Sequence, residues 1–216
     1  MAITGAIFDM DGTLTDSMHL WKGFDRRYLA TLGITPTDEQ SETMTGMMLE
    51  ELGEYIPKTF GLSLTADEVI RGINGIQEDG YFREVTIKPT TLETLETLKA
   101  MGVKMCLATA TERYLTEACL TRLGLLSYFP RIFTCHEEHT SKYRPDIFLT
   151  AGAWLGTPNE ETWVFEDTLY SIQGAKAAGF PLVAVRDVWS LHHEDEIRDL
   201  ADIYVDQLGD LDLAAL

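Results

Sequence analysis

Two carboxylates one residue apart, Asp9 and Asp11, close the first apolar run of the chain, and Gly12 and Thr13 follow at once. A carboxylate held beside a metal ion can attack phosphorus as a nucleophile and form an aspartyl-phosphate. A second carboxylate within reach can protonate the leaving oxygen and later take a proton from water. Both tasks need the strand to loosen into a loop after Asp9, so that the two side chains turn into one pocket. Gly12 would permit close backbone approach there. The same Asp-x-Asp pair also reads as an acidic turn, so the rest of the chain has to decide.

Those side chains need a frame, and the apolar pattern supplies one. Short β-branched runs predict strands at 6–8, 103–108, 132–133, 163–165 and 182–185, with a weaker one at 203–205. Helical spacing falls between them. A Thr90/Glu93 capping box opens one helix, with Leu92, Leu95 and Leu98 facing inward and an end near Gly102. Others run from Thr111 to Gly124, from about Asp146 to Gly156, and to a stop at Gly179. Strand–helix alternation of this kind builds an α/β fold, a doubly wound, Rossmann-like parallel sheet with helices on both faces. One stretch breaks the rhythm. Leu20, Trp21, Phe24, Tyr28 and Leu32 mark an amphipathic helix, and Leu49, Leu52, Ile56 and Phe60 mark a second. A Thr65/Glu68 capping box opens a third, with Val69, Ile73 and Ile76 on one side. The chain therefore divides into an α/β core, 1–15 and 87–216, and an inserted all-helical cap domain, 16–86. An insertion directly after the first strand reads as a lid over the carboxyl ends of the strands, where open α/β sheets bind ligands.

Four segments, in order, resemble the signatures of the haloacid dehalogenase-like hydrolase superfamily. Asp9-Met10-Asp11-Gly12-Thr13 resembles the first and Leu107-Ala108-Thr109 the second. Ser141-Lys142-Tyr143-Arg144-Pro145-Asp146 resembles the third and Val164-Phe165-Glu166-Asp167-Thr168 the fourth. The helical cap is similar to the branch that holds β-phosphoglucomutase and phosphoglycolate phosphatase. The resemblance implies that Asp9 is the nucleophile and Asp11 the general acid and base. It implies phosphate binding by Gly12, Thr13, Thr109, Ala110 and Lys142. A Mg2+ ion would be held by the Asp9 carboxylate, the Asp11 carbonyl and the Asp167 carboxylate, with Glu166 acting through water or from behind; such oxygen ligands suit that ion. Departures from the pattern are Tyr143 where the family often has Pro, Ser171 for Gly, and Pro89-Thr90 for Pro-Gly. Arg144 is a second cation, so either Lys142 or Arg144 could neutralise the phosphate. His19 and Trp21 are possible substrate contacts. His192-His193 belongs to a surface, and the remaining tryptophans to the core.

Charge and composition exclude other classes. Seventeen Lys and Arg against 35 Asp and Glu give −18, which argues against nucleic acid, whose binding needs a dense basic face. No apolar stretch approaches the roughly 20 residues of a membrane span. Three scattered cysteines, Cys106, Cys119 and Cys135, suit buried thiols in a reducing compartment. The first residues lack a signal-peptide pattern, so the expected location is cytoplasmic. No obligate protein partner is evident. The expected activity is a Mg2+-dependent phosphatase acting on a small phosphorylated metabolite, a sugar phosphate by resemblance. The competing readings are a β-phosphoglucomutase-type isomerase and a non-catalytic binding protein. A mutase needs a cationic clamp in the cap. In β-phosphoglucomutases, which the cap resembles, that clamp is an Arg a few residues after a Gly; the stretch Thr45-Gly46-Met47-Met48-Leu49-Glu50-Glu51 resembles that segment with Leu49 at the Arg position, and Lys22 or Arg71 could stand in.

Overall fold

Gly5–Phe8 (β1) is apolar on both of its faces, the mark of a strand covered from two sides. In the computed structural model, which describes residues 2–45 and 47–216, β1 lies at the centre of a parallel sheet. In chain order there follow Thr15–Asp16 (β2), Phe24–Thr31 (α1), Asp38–Thr45 (α2), Leu49–Phe60 (α3), Ala66–Gly75 (α4), Thr86–Ile87 (β3), Thr91–Ala100 (α5) and Lys104–Thr109 (β4). Next come Arg113–Arg122 (α6), Ile132–Thr134 (β5), Asp146–Leu155 (α7), Thr162–Glu166 (β6), Leu169–Ala177 (α8), Leu182–Val185 (β7), Glu194–Leu200 (α9) and Ile203–Val205 (β8). Among the described residues, six strands form one sheet in the order β5-β4-β1-β6-β7-β8. Register is fixed at the centre, where Ile7 sits opposite Cys106 on one side and Val164 on the other.

Parallel crossovers are right-handed, so connections that run opposite ways along the sheet put their helices on opposite faces. The chain steps from β1 to β4 to β5, then doubles back to β6, β7 and β8. Helices α7, α8 and α9 accordingly share one face. There Ile7, Cys106, Ala108, Val164 and Leu182 pack in one cluster with Ile147, Phe148, Ile172 and Ile197. The alternate strand residues point the other way, with Phe8 stacked on Phe165 at 4.2 Å. Buried Leu95, Leu98, Leu115 and Leu120 of α5 and α6 lie outside that cluster. The core is the α/β, doubly wound sheet expected.

The chain separates into two compact units, Met1–Ser17 with Val85–Leu216, and Met18–Glu84. These limits fall two residues further into the insertion than the sequence pattern places them. The reason is an antiparallel pair: β2 joins β3, with Thr15 opposite Ile87 and Asp16 opposite Thr86. Inside the helical unit, Phe24, Tyr28, Leu29, Met44, Leu52, Ile56, Val69 and Ile73 form the core. The Thr65 capping box is present.

Several expectations need correction. The helix expected from Leu20 to Leu32 is broken at Gly23, whose φ of 61° is left-handed, and α1 begins only at Phe24. Helix α2, mostly polar, had no apolar stripe to announce it. The Thr90 capping box does not form. Thr90 takes a left-handed φ of 63°, and its hydroxyl serves the Pro89 carbonyl and the Gly209 N–H instead. Thr91 and Thr94 turn inward beside Leu95 and Leu98, and Leu92 is 38% exposed. Trp154 is exposed as well. Gly46, part of the stretch matched to the mutase clamp, lies outside the described residues. No helix among the described residues is long and apolar enough to cross a membrane, and Cys106, Cys119 and Cys135 are all buried.

Candidate active site

From neighbouring strands β1 and β6 the chain departs in opposite directions, toward β4 and toward β7. Such a divergence opens a crevice at the carboxyl ends of the strands. Asp9 comes immediately after β1, and its N–H still donates to the Phe165 carbonyl at 3.0 Å, so the ladder with β6 continues through it. The chain then turns tightly. Leu14 and Thr15 both donate to the Met10 carbonyl at 3.0 Å, and Gly12 takes a φ of 84° that only glycine adopts freely.

Strand β6 ends at Glu166, with Asp167 just beyond it. Oxygens of Asp9, Glu166 and Asp167 lie within 4.8 Å of one another, and all three residues are buried. Lys142 reaches this cluster from the segment before α7. Its ammonium donates to Asp9 Oδ1 at 2.5 Å and also to Glu166 Oε1, and the residue is only 3% exposed. Helix α8 approaches this lysine closely because residue 174 is glycine; a Cβ there would run into the Lys142 carbonyl. Arg144 lies outside, exposed and paired with Asp146 at 2.9 Å. Of the two cations the third motif offers, Lys142 is therefore the one placed on the acids.

Burying like charges together shifts their protonation. Burial works to lower the Lys142 pKa, but the Asp9 and Glu166 carboxylates more than offset it and hold the ammonium well above the usual lysine range. Burial lifts Glu166 to about 7, with Lys142 pulling down and Asp9 pushing up. Asp167 is raised well above the ordinary carboxylate value by burial, then by Asp9, Glu166 and Asp187. Its Oδ2 is buried without a hydrogen-bond partner among the described residues, while Oδ1 has only a 3.5 Å contact from the Thr13 hydroxyl. An orphaned carboxylate oxygen beside two further carboxylates is a donor set that fits a hard divalent cation such as Mg2+. The Asp11 carboxylate stands apart from this trio. Ser17 Oγ donates to its Oδ1 at 2.5 Å and Thr111 Oγ1 to its Oδ2 at 2.6 Å.

The remaining expected residues are distributed as follows. Thr109, at the end of β4, is buried, and its hydroxyl oxygen accepts from the Thr111 N–H at 3.1 Å. Ala110 is exposed. His19 is exposed within the helical unit, and Trp21 Nε1 donates there to the Tyr81 hydroxyl at 2.9 Å. His192 is exposed and His193 half-buried just before α9, with His193 3.3 Å from Glu196. Sequence reasoning missed Ser17 and Thr111, which hold Asp11, and Lys88, whose ammonium donates to the Gly12 carbonyl. Thr111, two residues beyond a motif threonine, offered a signal; Ser17 and Lys88 did not.

Comparison with known proteins bears on the same residues. The family described as haloacid dehalogenase-like hydrolase matches residues 6–185, which include Asp9, Asp11, Lys142, Glu166 and Asp167. A probable pseudouridine-5'-phosphatase of Drosophila melanogaster is 28% identical over 218 residues, covering 96% of this chain and 94% of its own. The fructose-1-phosphate phosphatase of Escherichia coli is 26% identical over 190 residues, covering 84% and 96%. Among solved structures, CbbY from Rhodobacter sphaeroides in complex with phosphate shares the fold with a TM-score of 0.83, at 21% identity over 99% of this chain and 100% of that one. Since the family pattern runs unbroken from β1 to β7, the chain belongs to the haloacid dehalogenase-like hydrolases.

Proposed function

We propose that the protein is a Mg2+-dependent phosphatase of small phosphomonoesters, with sugar phosphates as its substrate class, and that it works through a phosphorylated Asp9. One observation carries the reading: the carboxylates of Asp9, Glu166 and Asp167 are buried together, Lys142 pairs with those of Asp9 and Glu166, and one Asp167 oxygen has no partner among the described residues. The two curated relatives are named as phosphatases of a pseudouridine phosphate and of fructose 1-phosphate, and that chemistry is the one carried over. Asp9, Asp167 and the Asp11 carbonyl would hold the metal, with Glu166 behind them. When bound, Mg2+ supplies positive charge against the phosphoryl oxygens and the attacking carboxylate.

Asp9 attacks phosphorus, forming a new P–O bond as the bond to the leaving alcohol oxygen breaks. Asp11, oriented by Ser17 and Thr111, gives that oxygen a proton. Water then attacks the phosphorylated Asp9, Asp11 takes a proton from it, and phosphate leaves with the Asp9 carboxylate restored. Lys142 offsets charge on Asp9 and the phosphoryl group throughout, and the Thr109 hydroxyl donates to a phosphoryl oxygen. We assign Gly12, Thr13 and Ala110 backbone roles around the phosphate. To the helical unit, with His19 and Trp21, we assign substrate selection, and to the whole enzyme a cytoplasmic location. A phosphate-release screen over small sugar phosphates, with Mg2+ and with a chelator, tests the proposal. Release with the metal and none with the chelator is expected; no release from any ester with Mg2+ present would overturn it.

A further inference from the structure

Lys88 lies in none of the four motifs, yet its ammonium reaches the loop that carries Asp9 and Asp11. It follows β3 directly, and its own N–H donates to the Leu14 carbonyl at 3.0 Å. From there Nζ donates to the Gly12 carbonyl, to the Arg186 carbonyl at 2.9 Å and to Asp187 Oδ2 at 3.0 Å. Side-chain exposure is 14% for Lys88 and 5% for Asp187, so this is a largely buried ion pair. The second Asp187 oxygen is occupied too, accepting from the Trp189 N–H at 3.0 Å. Each donor direction of the ammonium thus has an acceptor fixed in the backbone or by it, and the lysine has no slack.

The acceptor on the catalytic loop matters most. A peptide unit is planar, so holding the Gly12 carbonyl fixes the plane of the Gly12–Thr13 peptide. On one side of that plane, the turn runs back through Met10 to Asp9 and Asp11. On the other, the Thr13 hydroxyl makes the 3.5 Å contact with Asp167 Oδ1. Charge points the same way. Against the buried carboxylates of Asp9, Asp11, Glu166, Asp167 and Asp187 stand the ammonium groups of Lys142 and Lys88. Lys142 serves Asp9 and Glu166, whereas Lys88 serves the loop backbone and Asp187. A lysine whose only task was to neutralise Asp187 would not need the Gly12 carbonyl.

We propose that Lys88 is a positioning residue for phosphoryl transfer: anchored by Asp187 and the Arg186 carbonyl, it fixes the Gly12–Thr13 peptide and so the placement of Asp9, Asp11 and the Thr13 hydroxyl. The catalytic consequence rests on the phosphatase reading; the structural one does not.

The test compares Lys88→Met, Asp187→Asn and the double variant with the wild type. Steady-state phosphate release, thermal melting and amide hydrogen exchange over residues 9–15 are measured for each. Lys88→Met leaves a buried unpaired carboxylate and is expected to lose stability; the double variant removes that charge and recovers most of it. Turnover should not recover with it. Both Lys88 variants are expected to lose on the order of 10- to 100-fold in kcat with KM within about twofold, the signature of a misplaced reacting group. Both should also exchange faster over residues 9–15. Wild-type kcat and wild-type exchange in the double variant would reduce Lys88 to a counter-ion for Asp187 and overturn the proposal. If Lys88→Met fails to fold, the double variant decides alone. If the wild type releases no phosphate, the phosphatase reading falls, while unchanged exchange in the double variant would still overturn the positioning role.

Discussion

The two units of this chain bury very different things. The α/β unit encloses Asp9, Asp11, Lys142, Glu166, Asp167 and Asp187 at one end of its sheet. The helical unit packs an apolar centre, from Phe24 and Leu29 through Leu52 and Ile56 to Val69 and Ile73. Its close approaches are between glycines and apolar groups, Gly53 against Ala66, Gly72 against Tyr28 and Gly80 against Leu20. Asp25 is buried there as well, but among the described residues it joins no acidic cluster of that kind. Buried like charges are unfavourable unless they are paired, and in the α/β unit Lys142 and Lys88 supply that pairing. Substitutions should therefore divide by unit, with chemistry lost in one and stability in the other.

The largest expected effect is Asp9→Asn. The amide is nearly isosteric but cannot become a phosphorylated carboxylate, so turnover should fall at least a thousandfold, roughly the loss expected when a covalent nucleophile goes. Circular dichroism should be unchanged. Residual activity above about 1% of wild type would sink the nucleophile assignment. Asp11→Asn sharpens the assignment of roles within the same unit. Release of a sugar, a poor leaving group, should slow by about 100-fold or more, and release of nitrophenol far less. Equal losses for both would make Asp11 a structural group.

Ile73→Ala probes the other side of the comparison. Removing buried methylenes from the helical core should cost about 2–5 kcal/mol of stability in urea unfolding. kcat at saturating substrate and low temperature should stay close to wild type; a hundredfold fall would break the division of labour between units. Leu49 bears on product rather than rate. With no cation at the position matched to the mutase clamp, β-glucose 1-phosphate plus a bisphosphate primer should yield phosphate and little glucose 6-phosphate, as coupled assays for each product would show. The smallest effect expected is on the thiols. Burial pushes Cys119 up to about 12 and raises Cys106 too, so native protein should react slowly with a disulfide reagent and urea-unfolded protein at once. Rapid labelling of the native form would mean that the sheet opens far more readily than its packing suggests.

Legibility also differed between the units. Strands β1, β4 and β6 announced themselves because a buried parallel strand must be apolar on both faces, and the clustered acids Asp9, Glu166 and Asp167 stand where β1 and β6 stop. The helical unit was harder to read. Gly23 could have been tolerated inside a helix and instead breaks one, and the polar α2 carries almost no periodic signal. The Thr90 cap failed because threonine, cap-forming by type, sits in a left-handed backbone where the family often has glycine. Lys88 was invisible for another reason. Its partners, Gly12 and Asp187, are brought together only by the fold, and no local spacing encodes that meeting.

Strand β1 imposes an order of events during synthesis. It leaves the ribosome before the other strands of its sheet, yet its neighbours are β4, with Gly5 opposite Lys104, and β6, with Gly5 opposite Thr162. Every residue of the helical unit, which ends at Glu84, is made before either neighbour exists. Such distant pairings are slow to form because a long loop must close before any contact rewards it. Until Thr162–Glu166 emerges, β1 has an edge with nothing beside it, and Asp9 is a solvated carboxylate without its lysine or its acidic neighbours. The acidic cluster is therefore among the last parts of this fold to come into being, and a chain truncated anywhere before β6 would carry Asp9 without the acids it gathers with.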